Sequence, residues 1–229
     1  MKFINHEIVE GNPAYIIAEM PANHWENTQT AKDIIKAAKD SGADCIKIQT
    51  YTADTMTIDS DNEYFQIHGG LWDGYKLYDL YEDAYTPWEW QKELKDYADE
   101  IGMDFLSTPF DKTSVDFLES IGVEAYKIAS FELVDIPLIK YIASKNKPII
   151  MSTGMASLAE IEEAVNAIKS CGNNDIILLK CASAYPAITD DMNLATIRNM
   201  AETFGVITGL SIKNLNKKGR AFLLMPTNK

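Results

Sequence analysis

Short apolar runs alternate along this chain with amphipathic stretches, regularly enough to predict an order of elements. Residues 15–19, 45–49, 104–108, 125–128, 148–152, 176–180 and 206–210 are each four or five residues long. They are rich in Ile, Val and aromatic side chains and read as seven strands. Between them the apolar period changes to that of a helix. Residues 28–41 place Ala31, Ile34, Ile35 and Ala38 on one face. Helices are also predicted near 87–101, with Pro87 in the first turn, and over 112–121, 136–144 and 194–204. Ser157-Leu158-Ala159-Glu160 is a capping box that opens a further one. Residues 51–86 interrupt the pattern with a long insertion rich in aromatics and glycine. Its block Tyr75-Lys76-Leu77-Tyr78-Asp79-Leu80-Tyr81 reads as packing, with a lid over a site as the alternative.

Strands separated by helices pair in parallel, which makes the fold class α/β. A (β/α)8 TIM barrel is the simplest closure and typically takes ~250 residues. The chain has 229, and no clean helix–strand–helix follows the seventh strand. The expectation is an incomplete barrel of about seven βα units that leaves unpaired edges on its first and seventh strands. The apolar run 221–225 is a candidate patch for that gap. An open Rossmann-type sheet is the runner-up, but no GxGxxG follows any strand. The tail from Ile212 holds five cations and no acid, in a chain whose formal charge is −13. Two units follow: a truncated barrel domain, 1–211, and a divergent basic tail, 212–229. A tail that binds something and a shifted or shortened reading frame both explain the switch; the second is the expectation.

Composition narrows the function. Hydrophobic residues at 46% and charged residues at 24% are ordinary for a globular chain. The negative balance argues against nucleic acid as a partner. No apolar run reaches the ~18 residues of a membrane span. The first residues lack the apolar stretch of a signal peptide, so a cytoplasmic location and no membrane partner are expected. Cys45, Cys171 and Cys181 are odd in number and far apart, which suits a reducing compartment. Cys45 and Cys181, lying in strands, read as inert packing.

In a parallel barrel the chemistry sits where the strands end. The residues there are Glu19, then Asn23 and His24; Lys47 and Gln49; Thr108; Lys127, Ser130 and Glu132; Ser152; Lys180, Ser183 and Tyr185; and Ser211. Inward lysines are costly to bury without an anion. Together with the hydroxyls they suit a phosphate or carboxylate ligand, with Glu19 as acid or base. Two other readings stand beside this one. Lys47 and Lys127 could form core ion pairs with Glu19 and Glu132, or Lys127 could be a Schiff-base lysine of a class I aldolase.

The ordered pieces IAE–ANH (17–24), KIQT (47–50), STPF (107–110), AYKIAS (125–130), PIIMSTGM (148–155), KCASAYP (180–186) and GLS (209–211) resemble the sialic-acid synthase family. The insertion, with GGLW (69–72) and AYTPWEW (84–90), resembles its pseudaminic acid synthase branch more than the neuraminate or legionaminate branches. The resemblance implies condensation of phosphoenolpyruvate with a 2,4-diacetamido-2,4,6-trideoxy hexose to a nonulosonic acid, with phosphate release. It implies that Glu19, Lys47, Lys127 and Tyr185 carry the chemistry. Thr108, Ser130, Ser152 and Ser211 would hold phosphoenolpyruvate, and Gln49, Ser183, Asn23 and His24 would line the same site. It also implies a homodimer, a C-terminal antifreeze-like domain, and a divalent metal, Mn or Mg, held by two histidines. Lys213 stands where the first of those is expected, and the second has no counterpart in this chain.

Overall fold

A computed structural model describes residues 1–9, 12–20, 27–181, 192–213 and 220–225, the backbone alone at Leu71, Lys213 and 220–225. Ten strands and eight α-helices are present among these residues. The first two strands, β1 (Lys2–Phe3) and β2 (His6–Glu7), form a small antiparallel pair of their own. Seven more follow in parallel: β3 (Tyr15–Glu19), β4 (Cys45–Thr50), β5 (Asp104–Pro109), β6 (Tyr126–Ile128), β7 (Ile149–Ser152), β8 (Ile176–Cys181) and β9 (Ile207–Lys213). Their helices are α1 (Thr28–Asp40), α2 (Ala53–Met56), α3 (Leu77–Ala84), α4 (Trp88–Glu100), α5 (Lys112–Ser120), α6 (Ile136–Ala143), α7 (Leu158–Ser170) and α8 (Ala195–Phe204). None is long and apolar enough to cross a membrane.

The local signals explain where the helices start and stop. Asn27 caps α1 through the amides of Gln29 and Thr30. Ser157 and Glu160 close the expected capping box on α7. Gly205 ends α8 with φ 64°, a left-handed turn that an L side chain would strain. The insertion folds as α2, α3 and two short 3-10 turns, with Tyr78 donating to Asp54 at 3.0 Å and Tyr51 edge-on to Tyr81. The block 75–81 therefore lies largely on α3.

One expectation is corrected. The first and seventh barrel strands have no open edges. The tail run forms β10 (Arg220–Met225), which pairs antiparallel with β9 on one side and β3 on the other. The ring closes as β10-β3-β4-β5-β6-β7-β8-β9. The physical reason is backbone satisfaction. Two facing edges offer a double row of unpaired N–H and C=O groups, and an apolar segment returning from β9 fills both. The seven parallel strands are those expected from the sequence, and a hairpin stands in place of an eighth βα unit.

Strand alternation divides the core in two. Ile46, Ile48, Phe105, Ile149, Met151, Ile176 and Leu178 face outward and pack under the helices. Ile17, Cys45, Leu106, Ala125, Ile150, Ile177 and Leu179 face inward and fill the barrel. Phe3, Ile4 and Ile8 join the inner set, so the N-terminal pair plugs the barrel floor. Buried Asp104 ties the plug down. It accepts from Tyr15 Oη at 2.6 Å and Asn5 Nδ2 at 2.8 Å, and lies 2.9 Å from His6 Nδ1. A cavity of about 630 Å³ beside Asn5, His6, Lys95 and Glu124 opens at this floor end.

Candidate active site at the barrel mouth

The inner columns rise from apolar residues at the floor to polar ones at the mouth. Ile17 is followed by Glu19, Cys45 by Lys47 and Gln49, and Leu106 by Thr108. Ala125 is followed by Lys127, Ile150 by Ser152, Leu179 by Cys181, and Gly209 by Ser211. Two residues along a strand is one step on the same face. The rule that fills the core with Ile and Leu therefore also points these polar side chains inward. Ser107 and Thr50 alternate to the outer face, where Thr50 bonds Ser107 and Gln91 of α4. Lys180 also alternates outward; its ammonium bonds the Cys181 carbonyl at 2.7 Å.

Glu19 and Lys47 are register partners on adjacent strands and form an ion pair of 3.0 Å. Lys127 is buried as well. Desolvation, then the Lys47 charge, pulls its ammonium down from 10.5 to about 8, against the opposing influence of Glu19, Cys181 and Glu132. Two lysines thus lie within electrostatic reach of each other, with Glu19 near both. The core-pair reading is met for Lys47 and Glu19, and Lys127 is buried beside them.

Polar atoms elsewhere at this mouth lack partners. Thr108 Oγ1 is fully buried with no hydrogen bond, and so is Oε2 of Glu132, which follows β6 in a 3-10 turn. Buried polar groups are nearly always satisfied, so such atoms point to a ligand or water. Burial holds the Glu132 carboxyl above its ordinary range, opposed in part by its own backbone N–H and by Lys127. The sequence offers Glu132 only as an ion-pair partner for Lys127; the burial of its carboxyl oxygen is what the structure adds. Ser130 Oγ accepts from the Gly154 amide at 3.2 Å, which joins the loops after β6 and β7.

The described residues therefore bring together Glu19, Lys47, Gln49, Thr108, Lys127, Ser130, Ser152 and Ser211 at one end of the barrel. Asn23, His24, Ser183 and Tyr185 lie outside the described residues. Cys181 packs against the inner core cluster, as expected of it. It is partly exposed at the mouth, with its sulfur 3.9 Å from Ser130 Oγ. Among the described residues no three His, Cys, Asp or Glu side chains converge, and Glu19 is already engaged by Lys47. Anion binding and proton transfer are chemistry that these residues suit.

The NeuB family model matches residues 34–218. The chain belongs to the NeuB family. Within this family it is similar to the pseudaminic acid synthases of Campylobacter jejuni, at 48% identity over 86% of this chain and 57% of that protein, and of Helicobacter pylori, at 45% over 87% and 58%. The chain thus spans a little over half the length of these curated relatives. Among solved NeuB-type structures, the N-acetylneuraminic acid synthetase of Leptospira borgpetersenii superposes with a TM-score of 0.81 at 31% identity. That match covers 93% of this chain and 69% of the other.

Proposed function

We propose that the barrel mouth binds phosphoenolpyruvate, and that the chain is the barrel part of a synthase of the pseudaminic acid type, acting on an amino-sugar aldehyde. The observation that carries this is the meeting of Lys47, Lys127 and the unpartnered Thr108 hydroxyl on inward columns beside Glu19. Identity to pseudaminic acid synthases supports the choice of sugar, a 2,4-diacetamido-2,4,6-trideoxy hexose. The lysines, with Thr108, Ser130, Ser152 and Ser211, hold the phosphate and carboxylate. Gln49 lines the same wall, and Asn23, His24, Ser183 and Tyr185 complete the assignment.

In the reaction, C3 of phosphoenolpyruvate bonds to the aldehyde carbon, whose oxygen takes up a proton. Water then adds at C2, and the C2–O bond to phosphate breaks to leave the ketone. Glu19 is the group that takes the proton from that water, with the Lys47 ammonium stabilising the charge on its carboxylate. On the family resemblance the proposal extends to a cytoplasmic homodimer and to a manganese or magnesium requirement of the family, for which the described residues supply no ligand set.

A second reading is a catalytically dead anion-binding barrel. It is favoured by Lys213 at the end of β9, a cation where the resemblance puts a metal ligand. Phosphate release from phosphoenolpyruvate plus the sugar, with and without manganese, separates the two. Calorimetry of phosphoenolpyruvate on the chain and on Lys127→Ala runs beside it. Release, and binding that Lys127→Ala weakens, are the expected results. Binding without release under any condition leaves only the anion-binding barrel. Release with a neuraminate or legionaminate precursor alone moves the chain to that branch. No binding removes both readings.

A further inference from the structure

The strand that closes the ring brings basic residues to the mouth. Arg220 begins β10, and its register partners are Glu19 on β3 and Lys213 on β9. Residues directly opposite in an antiparallel pair share a sheet face, with Cβ atoms about 5 Å apart. Glu19 ends the inner column of β3 above Ile17, and Lys213 stands one step beyond Ser211 on the inner column of β9. Position 220 therefore lies on the inner face, at the mouth end of β10. The alternation continues toward the floor, where position 222 is opposite Ile17 and Ser211, and position 224 is opposite Tyr15 and Gly209. Glu19 is in turn the register partner of Lys47 on β4. One rung of the ring thus carries Lys47, Glu19, Arg220 and Lys213 in order, on β4, β3, β10 and β9. Three cations stand on it against one carboxylate, which already pairs with Lys47 at 3.0 Å. Like charges directly opposite on neighbouring strands repel, and residues 212–229 hold no acid to offset Lys213 and Arg220. Such a rung is at its most stable with an anion bound to it.

We propose that Arg220 and Lys213 are anion-binding residues of the barrel mouth, so that the segment closing the ring also completes the phosphoenolpyruvate site. The chemistry recognised is a phosphate or carboxylate group, and phosphoenolpyruvate carries both. A guanidinium suits either through paired N–H donors, and an ammonium adds a point charge. Both residues belong to the basic segment that follows Ser211, so its composition and its place in the ring have one explanation. This inference rests on the proposed phosphoenolpyruvate site and adds two residues to it.

The test is calorimetry of phosphoenolpyruvate on the whole chain and on Arg220→Gln, Arg220→Lys and Lys213→Gln, at one ionic strength, with a urea melt of each. Arg220→Gln and Lys213→Gln are each expected to raise the Kd about tenfold, the loss of one charge-assisted hydrogen bond. Arg220→Lys keeps the charge and is expected to stay within about threefold of the parent. The free Lys213→Gln chain is expected to melt at the same urea concentration as the parent or a higher one, because the substitution relieves repulsion across the rung. A Kd within about twofold of the parent in both glutamine variants overturns the proposal and leaves the phosphoenolpyruvate site standing. Arg220 is then a cross-strand partner of Glu19 and nothing more. Should Arg220→Gln fail to fold, Lys213→Gln on β9 decides alone, by the same criterion. Absence of binding to the parent chain removes the site itself, and this inference with it.

Discussion

Glu19 Oε1 and Lys47 Nζ meet at 3.0 Å inside the barrel, with only 6% and 2% of their side chains exposed. A buried pair gains attraction in a low-dielectric interior but gives up the hydration of both ions. Its contribution shows when one partner is removed, because the other charge is then left buried. Lys47→Met is expected to lower the unfolding free energy by about 3 kcal/mol and to abolish phosphoenolpyruvate binding. Urea denaturation measures the first and calorimetry the second. A stability loss below about 1 kcal/mol, within the range of unremarkable substitutions, would show that the pair does not hold this end of the barrel.

Lys127 makes stability and binding respond to pH in opposite senses. Its folded value, about 8, lies below the 10.5 of the exposed side chain. The unfolded chain therefore holds more protons between these values, and the group's contribution to stability rises over pH 8 to 10.5. That contribution is complete above 10.5 and is lost as pH falls through 8. An anion binds the charged form, so phosphoenolpyruvate affinity falls as pH rises above about 8. Calorimetry and urea melts across this window check both slopes. Affinity that stays flat to pH 10 removes Lys127 from the site.

β10 holds the ring closed through its backbone. Leu223 is the register partner of Ile16 on β3 and of Leu210 on β9. Proline there removes an N–H in a strand paired on both sides and reopens two edges. Leu223→Pro is expected to unfold at lower urea and to aggregate on concentration, seen by light scattering. A variant as soluble and as stable as the parent would mean that the strand is dispensable.

The floor of the barrel is separable from its mouth. Asp104 and Thr108 are four residues apart on β5, about 13 Å along the strand. Asp104→Ala leaves the Tyr15 hydroxyl, the Asn5 amide and His6 without their shared acceptor. A loss of about 2–4 kcal/mol of stability is expected, since hydrogen bonds to a charged group are each worth ~1.5–3 and some donors regain water. The Kd for phosphoenolpyruvate measured below the melting range stays unchanged. A Kd that moves with the floor substitution would show that the two ends are coupled.

Much of this architecture was legible in the sequence because it rests on periodicities of one chain segment. Strand alternation alone tells that Lys47 shares a face with Cys45, and Thr108 with Leu106, because successive Cβ atoms point to opposite sides of a strand. Capping at Ser157 and the helical face of 28–41 are likewise local. The sequence also carried, through its ordered motifs, the family to which the chain belongs.

Tertiary structure decided what depends on residues far apart in the chain. Run 221–225 is apolar wherever it lies; only the facing edges of β3 and β9 make it a strand. Cys181 looks like packing within its own segment, and only the fold brings Ser130, 51 residues away, to within 3.9 Å of its sulfur. Glu132 gained its interest from one buried carboxyl oxygen, Oε2, that makes no hydrogen bond, a property of everything packed around it. Propensity and alternation act within a few residues, whereas desolvation and charge act through space. The first set the strands and the faces they present, and the second gave the mouth its chemistry.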